Sequence, residues 1–131
     1  MKKTLVAGVT GEARHRVVTE NLVSFRKPDA PPVLATPWLL HVMETAAYAA
    51  ILPHLDPGEA SVGVEFDFRH IAPTPVGDTV VATARVVAVQ SRRVVLQFEA
   101  RDSKELIASG KHVRAVIDKE RFKRKLKAKS G

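Results

Sequence analysis

The chain contains no cysteine. Disulfide scaffolds, thiol nucleophiles and cysteine-ligated zinc are therefore excluded, and a cytoplasmic location is expected. Aromatic residues are also scarce: five phenylalanines, one tyrosine and one tryptophan among 131 residues. None forms a spaced pair of the kind that stacks single-stranded bases. No apolar run approaches the ~20 residues needed to cross a bilayer, so no integral membrane helix is expected. Leu5–Val9, behind Met1-Lys2-Lys3, is too short for the core of a secretory signal, and Glu12, Arg14 and His15 follow at once. Glycine-rich phosphate loops are missing, since Gly58, Gly63 and Gly77 stand alone as turn or bulge residues.

Hydrophobic residues make up 45% and charged residues 27%, a globular composition at the length of one domain. The net charge of +7 is unevenly placed. Lys119, Arg121, Lys123, Arg124, Lys125, Lys127 and Lys129 stand against Glu120 alone, whereas the remaining bases and acids nearly balance. A single domain over residues 1–118 with a basic tail over 119–131 is expected. The tail is expected to be solvated and frayed, or else a weak electrostatic hold on RNA or on anionic ligands.

Along the chain, Val17–Val23 is the best early strand candidate. Lys27-Pro28-Asp29-Ala30-Pro31-Pro32 is a loop, because its prolines fix φ and remove donors. Thr36-Pro37 marks a helix start, with Thr36 as N-cap and Pro37 at the first helical position, and Pro53 stops the helix near Leu52. Leu39, Leu40, Val42, Met43, Ala46, Ala47, Ala50 and Ile51 cover most of its circumference, the pattern of a buried helix. His41, Glu44, Thr45 and Tyr48 form one polar stripe. Strands follow over Val62–His70, with Val62, Val64, Phe66, Phe68 and His70 on one face, then Thr79–Gln90, Arg93–Arg101 and Leu106–Ile117, the last broken at Ser109-Gly110. On the second of these strands Val80, Ala82, Ala84, Val86 and Ala88 share a face. One buried helix followed by an antiparallel meander predicts an α+β fold, a curved sheet wrapped round a central helix.

Three polar side chains interrupt this pattern. Glu44 lies mid-helix on a buried element, His70 ends a strand on its apolar face, and Thr36 sits where a helix offers unpaired N–H groups. Singly, each has a structural explanation: a cap, a satisfied core histidine, a glutamate reaching the rim. Jointly, a carboxylate, an imidazole and a hydroxyl near a helix N-terminus are the parts of a hydrolytic site. His41 and Glu44 with His70 could also form a metal-binding set, although no established ligand spacing supports one.

Ala35-Thr36-Pro37-Trp38 with Glu44-Thr45-Ala46-Ala47 resembles the central helix of the fluoroacetyl-CoA thioesterase family, a branch of the hot-dog thioesterases. Ser61-Val62-Gly63, Phe68-Arg69-His70, Ala72-Pro73-Thr74-Pro75-Val76-Gly77, His112-Val113-Arg114 and Glu120-Arg121-Phe122 extend the likeness from about Val33 to Phe122. The resemblance implies a hot-dog fold and a homodimer with sites near the subunit interface; whether dimers pair into a tetramer is left open by the sequence. It implies Thr36, Glu44 and His70 as the catalytic set, with Gly63 and Arg114 lining the site. The family's lid phenylalanines fall on Lys27 and Ala30, with Phe25 the only aromatic nearby, so a general acyl-CoA thioesterase is expected.

The expected reaction is hydrolysis of an acyl-CoA thioester, with coenzyme A entering only as part of the substrate and no cofactor or metal. Thr36 would polarise the carbonyl, Glu44 would act as nucleophile or as base on water, and His70 would protonate the thiolate. Arg92, Arg93, Lys111 and the basic tail are the candidates for the CoA phosphates. The alternatives are a hot-dog hydratase or dehydratase pairing His41 with Glu44, or a non-catalytic acyl-CoA or RNA binding module.

Overall fold

A computed structural model describes all 131 residues. Five antiparallel strands form one curled sheet: β1 (Thr10–Arg16), β2 (Glu59–His70), β3 (Thr79–Gln90), β4 (Arg93–Arg101) and β5 (Leu106–Asp118). Helix α1 (Thr36–Ile51) lies across the concave face, and α2 (Lys119–Ser130) follows β5. This is the expected α+β arrangement. No helix is long and apolar enough to cross a membrane.

The helix boundary owes its position to Pro37 at the start and Pro53 just past the end. Leu39, Val42, Met43, Ala46, Ala47, Ala50 and Ile51 are buried against the sheet, leaving His41, Thr45 and Tyr48 exposed. The alanines let strands approach closely. A side chain at Gly11 of β1 would collide with the backbone of Ala46 and Ala50. From the sheet, Val80, Ala82, Ala84 and Val86 of β3 and Val94, Leu96, Phe98 and Ala100 of β4 complete the core.

Only β3, β4 and β5 form the expected meander. The strand order is β1-β3-β4-β5-β2, so β2 pairs with β5 and its other edge is unpaired. The early strand is β1 rather than Val17–Val23, which instead forms short 3-10 turns over Thr19–Asn21 and Val23–Phe25. The buried Asn21 explains this. Its Oδ1 accepts from the Val18 N–H at 2.8 Å and from His15 Nε2 at 2.7 Å, diverting the backbone from a ladder.

Two bulges alter the expected alternation. One between Gly63 and Glu65 makes Val64 the extra residue of β2. Ser61 and Gly63 therefore face the helix before it, and Phe66, Phe68 and His70 after it, while Val64 is 43% exposed. Another between Val86 and Ala88 removes Ala88 from the core face and turns Val89 toward it. β5 is unbroken through Ser109-Gly110, because a side chain at Gly110 would strike Asp67 and Phe68 of β2. The basic segment is solvated but not frayed. It forms α2, capped by the Asp118 carboxylate accepting from the Arg121 N–H at 2.9 Å.

Candidate active site

The expected catalytic residues fall into two groups within the chain. Thr36 and His70 meet in the first. Thr36 is not the N-cap: Ala35 holds that position, and Thr36 is the first helical residue. Its Oγ1 is thereby released from capping and lies 2.9 Å from His70 Nδ1 in a hydrogen bond. Pro37 has no N–H, and the Trp38 and Leu39 amides both turn back to the Ala35 carbonyl. The Thr36 N–H makes no backbone hydrogen bond and is the donor that the helix start offers. Burial holds the His70 imidazole below its ordinary pKa, and its Nε2 is buried without a hydrogen-bond partner. Phe25, Trp38 and Lys27 join Thr36 around an open cavity of ≈ 400 Å³. Phe25 is thus beside the helix start, 51% exposed, with the Arg26 guanidinium over its ring.

Glu44 anchors the second group. It is not the buried carboxylate expected from its helix, since its side chain is 43% exposed. Its Oε2 accepts from Arg114 Nη1 at 3.1 Å, and Arg114 is only 4% exposed. A buried guanidinium needs partners for its donors, and four of its five N–H groups have one here. Nε donates to Ser61 Oγ at 3.0 Å, Nη2 to the Ser61 carbonyl at 2.9 Å, and Nη1 also to His112 Nε2 at 3.1 Å. The Tyr48 ring covers the cation at 5.8 Å.

His112 is held as firmly as the residue it supports. A carbonyl can only accept, so Nδ1–H donates to the Glu65 carbonyl at 2.8 Å and Nε2 is left as the acceptor for Arg114. Its ring stacks on Phe66 at 3.6 Å, and burial keeps its pKa below the ordinary value. Gly63 completes the arrangement by having no side chain. A Cβ there would lie 2.8 Å from Glu44 Oε2 and 3.4 Å from His112 Cε1. Glu44, His41, Thr45, Tyr48, Ser61, Gly63 and Arg114 line a cavity of ≈ 350 Å³.

Neither Thr36 nor His70 reaches this second cavity. The metal set of His41, Glu44 and His70 does not assemble within the chain, and no group of three or more His, Asp or Glu could hold an ion. His41 shares the Glu44 cavity, but Glu44 pairs with Arg114 rather than with His41. Of the CoA-phosphate candidates, Arg92 lies beside α2, where it donates to Glu59 at 2.7 Å and to the Val116 carbonyl at 3.0 Å. Lys111 lies apart, near Asp67 and Gln97 on the outer face, and Arg93 is exposed at the start of β4 without joining either. Sequence reasoning gave Ser61 and His112 no role. For His112 the signal was available: β5 carries His112 and Arg114 on inward positions where Ala108 and Val116 are apolar.

The comparisons with known proteins agree with this fold. The family profile of the fluoroacetyl-CoA-specific thioesterases matches residues 17–120. A fluoroacetyl-CoA thioesterase of Streptantibioticus cattleyicolor is 41% identical over 100 residues, covering 76% of this chain and 72% of that protein. A crystal structure of a point mutant of the fluoroacetyl-CoA-specific thioesterase superposes with a TM-score of 0.89 at 35% identity, covering 98% and 99% of the two chains. A thioesterase superfamily member from Thermus thermophilus superposes at 0.85 with 30% identity, covering 94% and 93%. The chain therefore belongs to the fluoroacetyl-CoA-specific thioesterase family and is a hot-dog acyl-CoA thioester hydrolase.

Proposed function

We propose that Thr36, His70 and Glu44 carry the hydrolysis, and that each working site is assembled from two chains of a homodimer. The Thr36 N–H and hydroxyl polarise the thioester carbonyl, aided by the positive end of α1. Arg114 occupies Oε2 of Glu44, leaving Oε1 either to attack the carbonyl, forming an acyl anhydride that water then cleaves, or to take a proton from the water that attacks the carbonyl. His70, kept neutral by burial, orients the Thr36 hydroxyl and relays a proton to the departing thiolate. The products are a carboxylate and free CoA.

Distances argue for two chains. Thr36 and Glu44 are separated by about 12 Å of helix rise and point about 80° apart around the axis, too far to act on one carbonyl. Gly63 and His70 are on the order of 20 Å apart along β2. β2 is an edge strand whose outer side is unpaired and which exposes Val64, and such an edge invites strand pairing. A two-fold axis near the middle of β2 would extend the sheet across two chains. It would place the Gly63–Glu44 end of one strand opposite the His70–Thr36 end of the other.

The observation that carries the catalytic assignment is the Glu44 carboxylate, fixed by a buried arginine in a space that only glycine leaves open. A general acyl-CoA hydrolase is the reading favoured over fluoroacetyl selectivity, because Phe25 is the one phenylalanine beside Thr36. The test is free-CoA release from short, branched, aromatic and long acyl-CoAs. Glu44→Gln should lower kcat on the preferred substrate by about 10²–10⁴-fold, and a change below about threefold would refute the role.

A further inference from the structure

A cavity larger than those beside Thr36 and Glu44 lies elsewhere in the molecule. It lies between α2 and the adjoining ends of β2, β4 and β5, with a volume of ≈ 600 Å³. Arg92, Arg121, Arg124 and Lys125 line it together with the Phe122 ring, against two carboxylates, Glu59 and Asp118. Both carboxylates already have partners. Glu59 is held ionised, with a pKa of about 2, by the Met1 ammonium, the Asp56 amide and Arg92. Asp118 caps α2 through the Arg121 N–H. Arg92 is thus compensated, whereas the side chains of Arg121, Arg124 and Lys125 have no acidic partner.

We propose that this cavity binds the phosphate groups of the acyl-CoA substrate, its cations being drawn mainly from α2. The inference rests on the thioesterase reading and adds a second contact region to it. Continuity along the sheet supports it. Glu59 pairs with Asp118, Ser61 with Val116 and Gly63 with Arg114, so the cavity and the Glu44 site lie on the same two strands. They are separated by about 13 Å of β2. The exposed Tyr48, on the turn of α1 after Glu44, lies toward the same end. A pantetheine arm is an extended, weakly polar chain that can run along such a path, with its thioester at Glu44 and its phosphates at α2. Planar guanidinium groups suit phosphate oxygens, and the partly buried Phe122 ring offers a face to the adenine. Unlike a diffuse basic tail, this arrangement fixes three uncompensated cations on one capped helix beside a cavity.

Arg121→Gln, Arg124→Gln and Lys125→Gln combined keep good helix formers on a helix without buried residues, so folding should be unaffected. Titration calorimetry with coenzyme A itself reads the cavity without requiring turnover. The Kd should rise by about tenfold for each cation removed, and the KM for acyl-CoA should rise in parallel. Hydrolysis of the matching acyl-N-acetylcysteamine thioester, which lacks the phosphates, should be unchanged. Unaltered coenzyme A affinity in the triple variant would overturn the proposal. Loss of RNA retention with coenzyme A affinity intact would also overturn it, and would assign the helix to nucleic acid. Normal coenzyme A binding by the wild type that weakens in the variant, without hydrolysis of any thioester, would support the cavity and refute the catalytic reading alone.

Discussion

Gly63→Ala isolates the geometry of the Glu44 carboxylate from the stability of the fold. The added Cβ would sit 2.8 Å from Glu44 Oε2, where 3.4 Å begins ordinary contact. The obstructing atom is the end of a flexible side chain, so the carboxylate moves by roughly half an ångström and the backbone does not. That shift detaches Oε2 from its 3.1 Å bond to Arg114 and turns Oε1 away from its reacting partner. A displacement of about 1 Å at a reacting group can lower a rate by about 10²-fold, so kcat should fall by about 10- to 100-fold. Gly63 has no positive φ, so alanine is tolerated locally and the melting temperature should change little. Gly110→Ala is the control, since its Cβ would strike backbone atoms of β2 and should damage folding first. Steady-state free-CoA release beside thermal melts reads both quantities. Wild-type kcat in a folded Gly63→Ala protein would refute the reasoning.

Two further outcomes follow from the same network. His112→Phe keeps the stack on Phe66 but leaves Arg114 Nη1 and the Glu65 carbonyl each short of a partner. Chemical denaturation should show a loss of about 1.5–3 kcal/mol, and an unchanged midpoint would show that the bonds contribute nothing. Burial lowers the pKa of both His70 and His112 from the ordinary 6.5. Below pH 6.5 the unfolded chain therefore binds protons that the folded chain refuses. The contribution of these two histidines to stability should be flat above that pH and fall as pH drops through the window down to the folded-state values. Melting temperatures that rise on acidification from pH 7 to 5.5 would contradict both burials.

Much of the architecture was legible because local and tertiary preferences agree. Thr36-Pro37 and Pro53 bound α1, and the alternating branched residues of β3 and β4 leave no other period. β1 was illegible, since Thr10–Arg16 contributes no fully buried side chain and packs on α1 through the missing side chain of Gly11. The bulges at Val64 and near Ala88 reverse an alternation that looks continuous as letters. Thr36, Glu44 and His70 stood out as polar residues in apolar surroundings. Their separation into two clusters depends on where β2 crosses α1, which is set by pairing with β5. Ser61, which holds Arg114, points inward only because the bulge after Gly63 reverses the alternation of β2.

The most direct test of a site assembled from two chains is free-CoA release by mixed dimers. Thr36→Ala and Glu44→Gln chains are prepared separately, then unfolded and refolded together in equal amounts. Each pure variant should be nearly inactive. If Thr36 of one chain works with Glu44 of the other, every mixed dimer regains one intact site, and the mixture should recover about a quarter of wild-type activity. If the three residues act within one chain, no intact site can form and the mixture should stay as inactive as its components.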